Sequence, residues 1–262
     1  MELVVVDAFT SEAFGGNPAG VCFLDGERTD AWMAAVAAEM KHAETAFLLP
    51  RADGSYGLRW FTPETEVALC GHATLASAHA LWDTARLDPN HPAIFHTLSG
   101  ELRAQCRSDG RVELDFPVAK LVPAPDGASV LAALGVAPAP VFRTSFFVLV
   151  ELTDATAVRG LTPDLTALGD ADTDAVLVTA PSDDERFDVC CRVFGPRIGI
   201  PEDSVTGSAM CVLAPYWQPR LGDELRVEQV SARRGELHVR LAGDRVLIAG
   251  HAVTVLRGEL LA

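Results

Sequence analysis

The sequence predicts an α+β protein made of two similar halves, each a set of strands wrapped round one buried helix. Three observations predict it. Short apolar, β-branched runs bounded by Gly, Pro, Asp or Ser recur along the whole chain, which is strand punctuation. The landmarks of the first half return in the second at an offset near 135 residues, the mark of an internal duplication. The chain has 262 residues, of which 49% are hydrophobic and 22% charged. That is enough for two domains of ordinary size and excludes a disordered or fibrous chain.

Taken in order, residues 3–6 read as a first strand. Residues 30–41 place Trp32, Met33, Val36, Ala37 and Met40 on one stripe at helical spacing, with Thr29 or Asp30 as N-cap. A strand over 45–49 follows. A helix from Gly71 carries Leu75, Ala78 and Trp82 on one face. After a strand at 111–114, the proline-rich stretch 117–125 is the linker candidate, dividing the chain into halves at 1–117 and 127–262. The last strand is left free to cross back to the first half. Residues 128–134 read as a short helix ended by Gly135. Strands are expected at 142–151, 175–179, 188–194 and 246–248, and a second long helix from Gly207. Pro215 inside that helix predicts a kink or an early end, because it removes a hydrogen bond and crowds the preceding turn.

The duplication is visible by counting. Arg59-Trp-Phe61-Thr-Pro63, Gly71-His72-Ala73, Trp82 and Gly100-Glu101-Leu102 are answered by Arg192-Val-Phe194-Gly-Pro196, Gly207-Ser208-Ala209, Trp217 and Gly235-Glu236-Leu237. From each Trp to the following Gly-Glu-Leu is 18 residues.

Charge excludes some partners. Thirty-six acids against 21 bases give a formal charge of −15, which repels a phosphate backbone and argues against nucleic acid. No segment nears the roughly 18 apolar residues that a membrane span needs, and no basic start with an apolar run and cleavage site reads as a signal peptide. A cytoplasmic protein is expected. The six cysteines show no Cys-x-x-Cys spacing, so neither a zinc site nor a disulfide framework is expected.

If the halves face each other, two matched helix starts share one cleft. Each start leaves backbone N–H groups unpartnered at the positive end of a helix dipole, a fit for a small carboxylate. His72, Asp203, Ser204, Thr206 and Ser208 are the polar residues there. His72 is either a proton exchanger or a satisfied structural donor; Asp203, Ser204 and Thr206 are either functional or caps. Cys70, directly before Gly71, is either a thiolate favoured by the dipole or a small buried hydrophobe. Glu44, at the mouth of a strand, is by spacing alone an ordinary solvated acid.

Five motifs, Asp7-Ala-Phe-Thr with Gly16-Asn17-Pro18-Ala-Gly20, Glu44-Thr-Ala-Phe47, Arg59-Trp-Phe-Thr-Pro63, Cys70-Gly-His-Ala-Thr74 and Glu202-Asp-Ser-Val-Thr-Gly-Ser208, resemble the phenazine-biosynthesis PhzF-like family. That family belongs with the diaminopimelate epimerase and proline racemase fold group, and the resemblance covers nearly the whole chain. It implies a diaminopimelate epimerase-like duplicated fold, two pseudo-symmetric halves each a β-barrel around a central helix, working without cofactor or metal and as a homodimer. It implies an isomerase of a small carboxylate in which Glu44 carries a proton between carbons, His72 and Asp203 complete the catalytic set, and Asn17, Gly71, Ala73, Gly207 and Ser208 hold the substrate. Two departures stand out. Ser204 replaces a usual proline, and Cys70 replaces a small residue. In the racemases of the fold group two facing cysteines move the proton; Cys70 matches the first and Ser204 falls at the second. A racemase, epimerase or dehydratase using Cys70 is the alternative reading, and a small-molecule-binding protein without turnover is another.

Overall fold

The computed structural model describes residues 1–124 and 127–261. The chain forms two compact units, one of Met1–Asp115 with the residues from Ala249 on, the other Phe116–Ile248.

The first unit contains β1 (Glu2–Ala8), β2 (Asn17–Phe23), α1 (Asp30–Met40), β3 (Glu44–Pro50), β4 (Tyr56–Phe61), β5 (Glu66–Val67), α2 (Gly71–Asp83), β6 (Ala93–Thr97), β7 (Gly100–Cys106) and β8 (Val112–Pro117). The C-terminal strand Ala252–Glu259 returns to pair antiparallel with β1. The second unit contains β9 (Val122–Pro123), α3 (Ala128–Leu134), β10 (Val141–Arg143), β11 (Phe147–Glu151), α4 (Ala155–Arg159), α5 (Leu165–Asp170), β12 (Ala175–Pro181), β13 (Val189–Gly195), β14 (Ile200–Asp203), α6 (Met210–Leu221), β15 (Glu224–Gln229), β16 (Gly235–Ala242) and β17 (Arg245–Gly250).

The duplication seen in the sequence is a duplication of strand pairing. In the first unit β1 pairs antiparallel with β2, β2 parallel with β3, β3 antiparallel with β4, β4 antiparallel with β5 and parallel with β6, and β6 antiparallel with β7. The second unit repeats each step, with β10 to β16 taking the places of β1 to β7. Parallel neighbours need a crossover. The helix α1 and the pair α4 and α5 supply the first crossover of their units, and α2 and α6 supply the second. The fold is the expected diaminopimelate epimerase-like α+β architecture: strands β1, β2, β3, β7 and the C-terminal strand all touch α2, and its residues from Gly71 to Ala78 are buried.

The repeated Arg-x-Phe-x-Pro motif has a physical reason. The Arg59 guanidinium donates from Nε and Nη2 to the two carboxylate oxygens of Glu66, both at 2.6 Å, and lies over the Phe61 ring. Arg192 does the same to Glu202 at 2.7 and 2.9 Å and lies over Phe194. Each fork ties a strand to the short antiparallel partner that leads to the central helix, a planar two-point contact that only arginine makes.

Local expectations hold where the side chains act locally. Thr29 caps α1 by accepting from Trp32 N, Met33, Val36 and Ala37 are buried with Phe47 and Phe61 in the core of this unit, and Gly135 ends α3 in the left-handed region at φ 69°. Elsewhere the structure corrects the sequence. The run 142–151 is a hairpin rather than one strand: β10 and β11 are antiparallel, and Thr144 Oγ1 accepts from Phe146 N and Phe147 N to turn the chain. The proline-rich stretch is no free linker. Val118 N donates to Asp244 O, Ala119 N to Cys211 O, and β9 pairs with β10; Pro125 lies outside the described residues.

Pro215 does not end the second long helix, which runs to Leu221 with Pro215 and Pro219 inside it. A proline deprives the carbonyl four residues back of its donor. Here that carbonyl is Cys211 O, and Ala119 N supplies the missing hydrogen bond at 3.0 Å. The start also differs from expectation: Gly207–Ala209 is a 3₁₀ turn, and α-helical geometry begins only at Met210. Among the described residues no helix is long and apolar enough to cross a membrane.

Candidate active site

The parallel pairing of β2 and β3 sets Ala19 opposite Glu44, so the starts of these strands, Asn17 and Glu44, lie at one end of the first sheet. Both are buried, at 1% and 7% exposure. The segment between β1 and β2 delivers Asn17. Asp7, also buried, accepts from Phe14 N at 2.7 Å, and Gly16 takes φ +59°, where a Cβ would meet Ala8 O at 2.1 Å. The Asp7 and Gly16-Asn17 motifs therefore shape one turn.

The helix α2 brings the rest. Cys70 is its N-cap and makes no side-chain cap; its carbonyl accepts from Thr74 N and Thr74 Oγ1. His72 is the second helical residue, with 4% exposure. Its Nδ1 lies 3.1 Å from Asn17 Nδ2 and 3.5 Å from Cys70 Sγ. Its Nε2 lies 3.2 Å from Glu44 Oε2, at ion-pair distance but off hydrogen-bond alignment, since His72 Nε2 closes no hydrogen bond.

The histidine is neutral. Burial pushes its pKa down to about 3, with His42 adding in the same direction. Neutral imidazole carries one ring proton, and an amide NH2 can only donate, so the Asn17 contact assigns that proton to Nε2, the nitrogen facing Glu44. The cluster is thus a carboxyl group beside an oriented N–H, with a thiol on the far side of the ring.

In the second unit the turn after β14 carries Asp203, Ser204, Thr206, Gly207 and Ser208. Of the capping that these residues could supply, the N-cap side chain makes none. Thr206, at the N-cap position, makes no side-chain cap; its hydroxyl donates to Asp203 Oδ2 at 2.6 Å. Ser204 is held through its carbonyl, which accepts from Ser231 Oγ at 2.7 Å.

Gln229, fully buried at the end of β15, was not singled out by the sequence. It accepts from Thr206 N at 2.8 Å and donates to Asp203 O at 2.8 Å. It ends a strand of alternating polar and apolar residues, Glu224-Leu-Arg-Val-Glu-Gln229, and nothing in that pattern marks it out. Beneath the turn, a Cβ on Gly235 would sit 2.2 Å from Val205 Cγ2. The glycine of the second Gly-Glu-Leu landmark is required by this close approach.

Asn17, Glu44, Cys70, Gly71, His72 and Ala73 are thus one neighbourhood of the first unit, and Asp203, Ser204, Gly207 and Ser208 one turn of the second. The absence of Cys-x-x-Cys spacing argued against a metal, yet folding gathers three donors of different kinds, Glu44, Cys70 and His72, with ligand atoms within 4.8 Å of one another.

Strand pairing duplicated around two central helices is the diaminopimelate epimerase-like architecture. Within it the chain belongs to the PhzC-PhzF family of phenazine biosynthesis-like proteins, whose family model matches residues 6–258. It is 47% identical to an uncharacterized isomerase of Halalkalibacterium halodurans, over 99% of this chain and 98% of that protein. It is also similar to the crystal structure of a PhzF-family phenazine biosynthesis protein from Enterococcus faecalis, with TM-score 0.92, 37% identity, and coverage of 100% and 99% of the two chains. A probable proline racemase from Agrobacterium radiobacter, at 15% identity and TM-score 0.64 over 99% of this chain and 92% of that one, shares the fold.

Proposed function

We propose that the protein is an isomerase of a small carboxylate that moves a proton between carbons, using its own side chains as acid and base and working as a cytoplasmic homodimer. Glu44 is the proton carrier. The observation that carries this reading is the buried Glu44 carboxyl, 3.2 Å from the Nε2 of a neutral His72. Relatives named isomerases support the reaction class.

The chemistry follows from the groups. A carboxylate takes a proton from a carbon beside the substrate's own carboxylate, and negative charge spreads onto substrate oxygen. The carboxylic acid so formed returns the proton to another carbon of the same molecule, so the enzyme ends as it began. His72 directs its Nε2 proton to the Glu44 side, at ion-pair distance from the carboxyl group. Backbone donors at Gly71 and Ala73 suit the charge that develops on the substrate, and Asp203, Gly207 and Ser208 are assigned to holding it. Acid-base transfer of this kind is worth roughly 10² to 10⁴ in rate.

The second reading makes Cys70 the base, and the Sγ-to-Nδ1 distance of 3.5 Å favours it. An imidazole with pKa about 3 is a weak acceptor for a thiol proton, and Ser204, which the resemblance matches to the second cysteine of the racemases, is a poor base unaided. Glu44 is therefore preferred.

A panel of small unsaturated and hydroxylated carboxylates incubated with the protein in D2O tests the proposal. The isomerase reading expects one of them to return with its double bond or hydrogen moved and one solvent deuterium on carbon. Binding to members of the panel with no carbon exchange in any would instead mark a binding protein.

A further inference from the structure

We propose that the indole N–H of Trp60 is a donor to the substrate, and that it narrows the substrate to carboxylates carrying a second oxygen, as a hydroxyl or a carbonyl. The proposal deepens, and rests on, the reading of Glu44 and His72 as the reaction site.

Strand register places Trp60 beside that site. β3 and β4 pair antiparallel with Ala46 opposite Trp60, and side chains alternate between the two faces of a sheet. Phe47 and Phe61 lie on the face that packs with α1. Glu44, Ala46 and Trp60 therefore share the other face, the one toward α2, which touches β3. Glu44 is a diagonal neighbour of Trp60, within reach of an aromatic side chain. Trp60 is 1% exposed, and its Nε1 finds no acceptor among the described residues. An indole nitrogen can only donate, and a buried donor without a partner costs stability. Trp217, 2% exposed, shows the ordinary arrangement: its Nε1 donates to Thr179 Oγ1 at 3.1 Å.

The duplication separates the ring from its N–H. In the second unit the place of Trp60 is taken by Val193, 2% exposed and opposite Leu177. A large residue facing alanine and a medium one facing leucine fill similar space, so packing accounts for the ring. Packing does not account for the polar atom, since an apolar side chain serves at the matching position. The unpaired donor is a hydrogen bond kept for a guest. Backbone donors at Gly71 and Ala73, at the positive end of α2, suit the charged carboxylate of that guest. A neutral donor on the sheet suits a neutral oxygen, and a site built to hydrogen-bond such an oxygen rejects the analogue that lacks it.

The test compares the full chain with a variant carrying benzothienylalanine in place of Trp60, a ring of the same shape with sulfur where the indole has N–H. Without ligand, the unfolding midpoint of the variant is expected to equal or exceed that of the parent. A lower midpoint would show that the N–H has a partner within the fold and would overturn the proposal. Propionate, lactate and pyruvate, one carbon skeleton without and with the second oxygen, are then titrated while the Trp60 indole and His72 ring signals are followed by NMR. Lactate or pyruvate is expected to move both signals and to bind at least about tenfold more tightly than propionate, a preference that the variant loses. His72 signals that move while the indole signal stays still, or a preference that the variant keeps, would overturn the proposal and leave the Glu44 site intact. If no compound moves the His72 ring, the site reading falls and takes the proposal with it.

Discussion

Asn17 Nδ2 sits 3.1 Å from His72 Nδ1, and this one contact decides which way the histidine proton points. Because the amide donates, the ring must accept there and keep its proton on Nε2, 3.2 Å from Glu44 Oε2. Asn17→Ala is predicted to cost about 1–3 kcal/mol of stability, the penalty for a buried acceptor left unmade. It is also predicted to lower substrate turnover while leaving the fold intact. Denaturant unfolding and the carbon-exchange rate on the same preparation check both halves.

The neutral His72 makes stability depend on acid. Its folded pKa, about 3, lies below the ordinary value of 6.5, so between these values the unfolded chain binds the extra proton. Stability is therefore full above about 6.5 and falls as pH drops toward 3, by up to about 1.4 kcal/mol per pH unit from this group. Across that window His72→Gln should have a shallower decline than the parent. Parallel slopes in paired unfolding curves would contradict it.

The two arginine forks predict unequal losses. Arg192 is the more buried, with a side-chain exposure of 13% against 35% for Arg59, and its Nη1 also donates to Leu161 O at 2.8 Å. Arg192→Lys is predicted to cost about 2–3 kcal/mol, in the range of charged hydrogen bonds that lose their partner. Arg59→Lys should cost less. Urea midpoints of the two single variants rank them.

Gly235→Ala places a methyl group 2.2 Å from Val205 Cγ2, beneath the turn that carries Asp203 and Ser208. Overpacking of this kind costs about 1–3 kcal/mol. Adding Val205→Ala removes the two methyl groups in the way and should recover part of that loss. The double variant being no more stable than Gly235→Ala would show that the clash is not the cause.

What the sequence revealed follows from how local each cause is. Thr29, Gly135 and the stripe on α1 act within a few residues, and the repeated landmarks report a pairing scheme used twice. The hairpin inside 142–151 was missed because Thr144 turns the chain with its own hydroxyl, where no glycine or proline marks it. The persistence of α6 past Pro215 depends on Ala119, a residue far away along the chain. Glu44 stood out only through family resemblance; its position beside His72 is a product of parallel strand register. Gln229 carried no motif at all, and its importance lies in two hydrogen bonds to a turn that precedes it by more than twenty residues.

Comparing Glu44→Gln with Cys70→Ala, for deuterium delivery from solvent to substrate carbon, tests the central claim most directly. Transfer by Glu44 predicts a fall of about a hundredfold or more in Glu44→Gln and a rate near that of the parent in Cys70→Ala. The reverse pattern, with exchange surviving in Glu44→Gln and vanishing in Cys70→Ala, would contradict it and hand the proton to the thiol.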